Sequence, residues 1–152
     1  MDYNKSIDGV EKSTDVSGIK DVLDVLLELE EGYYNVVNSS ATQEKKIDTV
    51  KRFSKETFGD IYASIANLNP DGVKSLAETL SAKNADYGNS FDRGIELYGA
   101  TGMTLRISDK VHRMQTLMRS ANTPRVDESL QDTLVDILGY LVLTFTYKEE
   151  GR

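Results

Sequence analysis

The segment that most restricts this chain is its last apolar stretch, DESLQDTLVDILGYLVLTFTY, residues 127–147. Leu134, Val135, Ile137 and Leu138 crowd around two acidic residues there, in a pattern that continues at helical spacing. Glu128, Asp132 and Asp136 stand at i, i+4 and i+8. Positions so spaced drift by about 40° per step on a helix, so the three carboxylates point roughly one way. A carboxylate held against apolar neighbours is costly unless it is paired or bound to a cation. The series therefore asks for a metal ion or for Lys and Arg partners. Residues 140–146, YLVLTFT, have a strand-like composition, but they continue the helical pattern and are read as helix.

The rest of the chain is helical in period almost throughout. A first helix is expected from Asp15 or Ser17, with Ile19, Val22, Leu23, Leu26, Leu27 and Leu29 forming a wide apolar face. Asn38-Ser39-Ser40 breaks it, and Thr42 is a candidate N-cap for a second helix carrying Ile47, Val50, Phe53, Phe58, Ile61 and Ile65. Asn69-Pro70-Asp71-Gly72 reads as a turn. A short helix should follow from about Val73 to Ala85. Residues 86–102, with Gly88, Gly94, Gly99 and Gly102, read as loop-rich with one short helix near Phe91–Tyr98. A long helix is expected from Met103 to Ser120, ended by Asn122-Thr123-Pro124. Residues 1–14 look frayed. The expected fold is all-α, a bundle of about five to six helices. Its division is expected as an N-terminal helical region, 1–70, which can belong to the same bundle, and a domain over 71–152.

Composition removes several classes of function. The 152 residues suit one domain with a real core. No apolar run approaches the ~20 residues that span a bilayer, and no secretory signal is seen at the N-terminus. There is no cysteine, which excludes disulfides and thiolate metal sites and fits a cytoplasmic protein. A net charge of −7 argues against broad nucleic-acid binding, yet is compatible with a small phosphorylated ligand bridged by a metal. No Gly-rich phosphate loop, Ser/His/Asp set or zinc motif is present.

What remains is a set of charged helix faces. Asp132 and Asp136, with Glu128 or Asp109 near them, have the chemistry to hold Mg²⁺ (or Mn²⁺), which takes about six oxygens and keeps several waters. Lys83, Arg106, Lys110 and Arg113 can neutralise a polyphosphate. Tyr87 can stack on a base, and Asp86 can accept from a base or ribose. Each has a plainer reading. Arg106, Asp109, Lys110 and Arg113 suit the solvated side of an amphipathic helix. Asp132 and Asp136 suit buried ion pairs with Arg106 and Arg113. Asp86-Tyr87-Gly88 suits a helix stop, His112 a surface position, and the methionines core filling.

Three blocks in this half of the chain carry a family resemblance: KNADYGNSF, RISDKVHRM and DESLQDTLVDILGYLVL. They resemble a phage and prophage family, nucleotide modification associated domain 1. Lys83, Asp86, Tyr87 and Gly88 fit its first block; Arg106, Asp109, Lys110 and Arg113 its second; Glu128, Ser129, Asp132, Thr133 and Asp136 its third. The resemblance covers roughly residues 75–147. It implies a more distant similarity to MazG-like all-α NTP pyrophosphohydrolases, which hold Mg²⁺ between Glu and Asp residues of two helices. This chain departs from their pattern: the 103–120 segment offers one carboxylate, Asp109, where those enzymes have three, and Asp132 and Asp136 are spaced by four, not three. The function so implied is a metal-dependent conversion of an NTP or dNTP to monophosphate and pyrophosphate, with Asp109, Glu128, Asp132 and Asp136 as catalytic or metal-holding groups. The alternative is a nucleotide-binding protein without turnover that sequesters a nucleotide, including a host defence signal. A homo-oligomer is expected, because related proteins complete their sites across a dimer and because the first helix is so apolar. A structural oligomerisation module, with Leu23, Leu26, Leu27, Tyr33 and Tyr34 as its surface, is the third reading.

Overall fold

A computed structural model describes residues 1–87, 89–119 and 127–152, leaving aside the side chains of 84–87. The described chain is all-helical, with seven helices: α1 (Tyr3–Asp8), α2 (Gly18–Val37), α3 (Gln43–Leu68), α4 (Pro70–Lys74), α5 (Leu76–Tyr87), α6 (Ser90–Arg119) and α7 (Glu128–Phe145). The four long helices form a ring of contacts, α2 on α3, α3 on α7, α7 on α6 and α6 on α2. The short α1 lies against α5 and α7, and α4 against α3 and α7. One hydrophobic cluster runs through the whole, from Tyr3 and Ile7 to Phe145 and Tyr147. Among the described residues, no helix is long and apolar enough to cross a membrane.

Helix starts follow side-chain chemistry. Thr42 caps α3 by accepting from the Lys45 N–H at 3.3 Å, and Asp127 caps α7 by accepting from Leu130 N–H at 2.9 Å. Helix ends use lysines. Lys46 donates to the Val37 carbonyl at the end of α2, and Lys12 to the Ile7 and Val10 carbonyls around the end of α1. An ammonium group there satisfies carbonyls that a helix end leaves open and opposes the negative end of its dipole.

Four sequence expectations change. Residues 1–14 are not frayed: Tyr3, Ile7 and Val10 are buried, and α1 is capped by Asp2. A six-residue helix cannot hold itself together in water, so it exists by packing, which no local period reveals. Asn69-Pro70-Asp71-Gly72 is the N-terminus of α4 rather than a free turn, with Asn69 accepting from Gly72 N–H at 3.1 Å and Pro70 in the first turn. The short helix expected over Val73–Ala85 is thus two, α4 and α5. Residues 90–102 are helical, and only Gly99 interrupts α6, at φ 62° and ψ −143°. The Gln43 side chain accepts from the next N–H, that of Ala100, at 3.0 Å, and so caps the second half of α6. The expected roles of Gly88 and of Asn122-Thr123-Pro124 lie outside the described residues.

The apolar face of α2 is spent inside the chain. Val22, Leu26, Leu29 and Tyr33 are buried against α3 and α6, while Tyr34 points outward. The strand-like run at the end of α7 is helix because its neighbours surround it: Leu141, Val142, Leu143, Thr144 and Phe145 are all buried. Thr144 resolves its buried hydroxyl by donating to the Tyr140 carbonyl at 2.6 Å, one turn back.

Candidate functional site

The rotation of α7 decides which acidic residues meet partners. Leu130, Thr133, Leu134, Ile137, Leu138 and Leu141 face the core. Glu128 and Asp132 fall on the opposite side and are exposed. Burial closes around α7 only from Ile137 onward, so the apolar neighbours of Asp132 in sequence do not enclose it. Asp136 sits at the edge of the packed face, with its side chain 32% exposed.

Three helices converge on Asp136. Lys110 of α6 places its ammonium 3.1 Å from Oδ2, and Lys83 of α5 lies 3.7 Å from Oδ1. Both carboxylate oxygens are thus engaged by cations. The expected partners were Arg106 and Arg113; lysines take that place. Arg106, one turn before Lys110, sits over the ring of Tyr140 at 6.0 Å, and Tyr140 stands one turn after Asp136. Phe91, at the start of α6, stacks on the other aromatic partner of this face, with ring centroids 6.2 Å from Tyr140. Arg113 and Asp109 are exposed, and neither forms an ion pair among the described residues. His112 is exposed and faces Glu30, whose carboxyl burial pushes above the usual range while the imidazole pulls it back. The roles expected of Asp86 and Tyr87 lie outside the described side chains.

Below the lysines, Leu76, Leu80, Val135, Gly139 and Leu143 line a small cleft of about 50 Å³ that reaches Lys83, Asp136 and Tyr140. A water molecule takes up ~30 Å³ in the liquid, so this cleft is a floor and not a chamber. A much larger groove, about 720 Å³, lies elsewhere, between Val10–Asp15 and the Arg52–Asp60 face of α3. Its lining mixes Lys12, Arg52 and Lys55 with Glu11, Glu56 and Asp60. Volume and chemistry disagree here. The charge arrangement on Asp136 is the more specific feature, because it draws cations from two other helices onto one carboxylate.

Mg²⁺ would need several oxygen ligands at close to octahedral geometry. Among the described residues, no group of three or more His, Asp or Glu side chains is close enough to share one. Glu128 and Asp132 turn to solvent, Asp109 is exposed on α6, and Asp136 is held by two ammonium groups. The described residues do not make a fit for a resident Mg²⁺ or Mn²⁺.

Tyr140 and Phe91 were missed by sequence reasoning. Tyr140 was legible, since it stands four residues from Asp136 on the same face. Phe91 reaches it only through the path of α6, which no local signal gives.

An all-α bundle with a cluster of cations around one carboxylate and beside an aromatic pair, assembled from α5, α6 and α7, is the class this geometry defines. Residues 83–146 match the family described as nucleotide modification associated domain 1. The matched stretch starts at Lys83 and takes in Arg106, Lys110, Asp136 and Tyr140, while α1 to α4 and the large groove lie outside it. No curated protein and no solved structure matches the chain.

Proposed function

We propose that this protein binds a nucleotide without turning it over, holding its phosphates on Lys83, Lys110 and Arg106. The observation that carries the reading is the double ion pair on Asp136: two lysines from separate helices are kept 3.7 and 3.1 Å from one carboxylate. Asp136 keeps the ammonium groups in place and screens their repulsion. A phosphate offers more negative charge and more acceptor oxygens than one carboxylate, and so competes for the same groups. The match of residues 83–146 to a nucleotide-modification-associated domain supports a nucleotide as the anion. Any Mg²⁺ or Mn²⁺ would arrive on the nucleotide's own phosphates. In a phage setting, such a protein would sequester a nucleotide pool or a host signal.

Pyrophosphohydrolysis is the competing reading. It needs Asp136 and other carboxylates free to hold a metal and orient water, and among the described residues no three such groups gather for this. A panel of (d)NTPs tests both: direct binding by calorimetry, and pyrophosphate with monophosphate release by chromatography, with Mg²⁺ and with Mn²⁺. Saturable binding without product, weakened by Lys110→Ala, is the expected result. Product release abolished by Asp132→Ala or Asp136→Ala would replace this reading with the enzyme. No binding to any nucleotide by folded protein would end both.

A further inference from the structure

The residues that follow α7 fold back on the bundle. Lys148 and Gly151 take left-handed backbone, at φ 61° and 85°, and the reversal drives the Arg152 side chain inward. That side chain is only 2% exposed. Nη2 donates to Asp92 Oδ1 at 2.6 Å. The guanidinium carbon lies 5.8 Å from the centre of the Phe91 ring and 6.0 Å from that of Tyr147. Nε and Nη1, also buried, have no hydrogen-bond partner among the described residues. The slot thus gives a planar cationic fork one carboxylate and two aromatic faces, and leaves two of its nitrogens unserved. A buried N–H without an acceptor costs free energy, and a non-glycine residue in left-handed backbone adds to the cost. The side chain is held, but poorly matched.

We propose that the Asp92–Phe91–Tyr147 slot is a base-binding subsite selective for guanine, occupied in this state by Arg152 as an internal mimic. The 2-amino edge of guanine, N1–H with the C2 amino group, carries the same forked pair of donors as a guanidinium, and a carboxylate accepts both. Unlike a guanidinium, the rest of guanine is a neutral plane that stacks on aromatic rings without burying a charge. Adenine has no such edge, and hypoxanthine lacks the amino group. The slot also lies next to the phosphate rim: Phe91 touches Arg152 on one side and stacks on Tyr140 on the other, and Tyr140 carries Arg106. The inference rests on the nucleotide reading above and adds the base and a self-occluding side chain. Nucleotide binding would expel Arg152, and its side chain would lower apparent affinity in proportion to its occupancy.

Nucleosides test the slot apart from the phosphate rim, because they carry no phosphate. Guanosine, inosine and adenosine are titrated by calorimetry into the full chain, Arg152→Ala, and Arg152→Ala with Asp92→Asn. Arg152→Ala should bind guanosine at least about tenfold tighter than the unaltered chain, and about tenfold tighter than it binds inosine. Asp92→Asn should erase that preference. Arg152→Gln, which keeps bulk, must show the same order of affinities should Arg152→Ala fold poorly. In the unaltered chain, guanosine but not adenosine should speed tryptic cleavage after Lys148. Equal affinity of Arg152→Ala for the three nucleosides, or unchanged affinity on removing Arg152, would overturn the slot even if GTP and ATP bind the lysines. Guanosine selectivity with no effect of Lys110→Ala on GTP would keep the slot and overturn the phosphate rim.

Discussion

Replacing Asp136 by Asn separates the two readings of this site because they predict opposite signs. The side chain keeps its size and loses its charge. Both ion pairs vanish, the one to Lys110 at 3.1 Å and the one to Lys83 at 3.7 Å. The Lys83 side chain is 55% exposed and that of Lys110 29%, so these are solvent-screened pairs worth about 0.2–1 kcal/mol each. The cost in stability should be about 1 kcal/mol, a fall of about 2–4 °C in melting temperature for a chain of this length. Affinity should move the other way. A phosphate on the two ammonium groups would lie about 6 Å from the lost carboxylate. One pair of unit charges at that distance repels by ~0.7 kcal/mol in water and more at a protein surface. Removing it should tighten binding by about 1 kcal/mol, or about fivefold per phosphate charge engaged.

Calorimetric titration of GTP and ATP, with EDTA and then with Mg²⁺, reads this directly. Tighter binding by Asp136→Asn in both conditions is expected, together with weaker binding by Lys110→Ala. A tenfold or greater loss in Asp136→Asn, or loss confined to the Mg²⁺ titration, would refute the reasoning. Asp136 would then be a metal ligand that binding cannot do without.

Other perturbations test the frame that holds the site. A methyl group at Gly59 would sit 2.3 Å from the Glu11 carbonyl oxygen, where Ser13 N–H also meets the Gly59 carbonyl at 3.0 Å. Gly59→Ala should cost about 1–3 kcal/mol through forced separation of this segment from α3, seen in chemical denaturation. Gly99→Ala meets both left-handed backbone and the Gln43 side chain; a loss of about 1–3 kcal/mol is expected. Gln43→Ala alone should cost about 1 kcal/mol by uncapping the second half of α6. Asp60 has its carboxyl pushed up by burial and by Glu56, Asp15 and Glu28. Folding therefore favours its protonated form, and the charged form opposes folding wherever pH is above the raised value. Asp60→Asn should stabilise the protein at neutral pH, and the gain should fade as pH falls through the raised value and be gone once pH is below the ordinary carboxylate value of 3.8; melting scans across that range would show a constant difference if the argument is wrong. Tyr33, buried beside Ser54 with its hydroxyl pushed upward by burial, stays neutral when folded. Stability should thus decline as pH rises above 10, the ordinary tyrosine value, and Tyr33→Phe should lose less over the same interval.

Periodicity made the long elements legible. The faces of α2, α3 and α7 could be drawn from Val22 and Leu26, from Val50 and Phe58, and from Leu134 and Ile137, because each helix is long enough to repeat its pattern several times. The short α1 was not, since Tyr3, Ile7 and Val10 make one repeat that only the packed bundle completes. Glycines misled over 86–102. Gly94 and Gly102 lie within helix, and only Gly99 breaks it, because Gln43, far away in sequence, supplies the cap. Of the charged residues singled out, Lys83, Lys110 and Asp136 meet, Arg106 stands beside them, and Glu128, Asp132 and Asp109 do not join them. A spacing of four puts Asp132 and Asp136 on one side of a helix, but 40° of drift is enough to carry one of them off the edge of a packed face. Whether an edge lies before or after a given residue depends on the neighbouring helices. The Asp92–Arg152 pair was out of reach for the same reason, being set by a chain reversal and not by any spacing.

Charge gives the proposed site its selectivity for size. The whole chain carries −7, yet Lys83, Arg106 and Lys110 outnumber Asp136 on one small face. Within about 8 Å, the screening length at physiological salt, a phosphate feels those three cations more than the rest of the protein. A long polyanion would also meet Asp109, Glu128 and Asp132, all exposed on α6 and α7. In the proposed reading, these exposed acids would act as a repelling border. Such a border would oppose a nucleic-acid duplex more than a single nucleotide, so these three carboxylates favour a small phosphorylated ligand in the proposed reading.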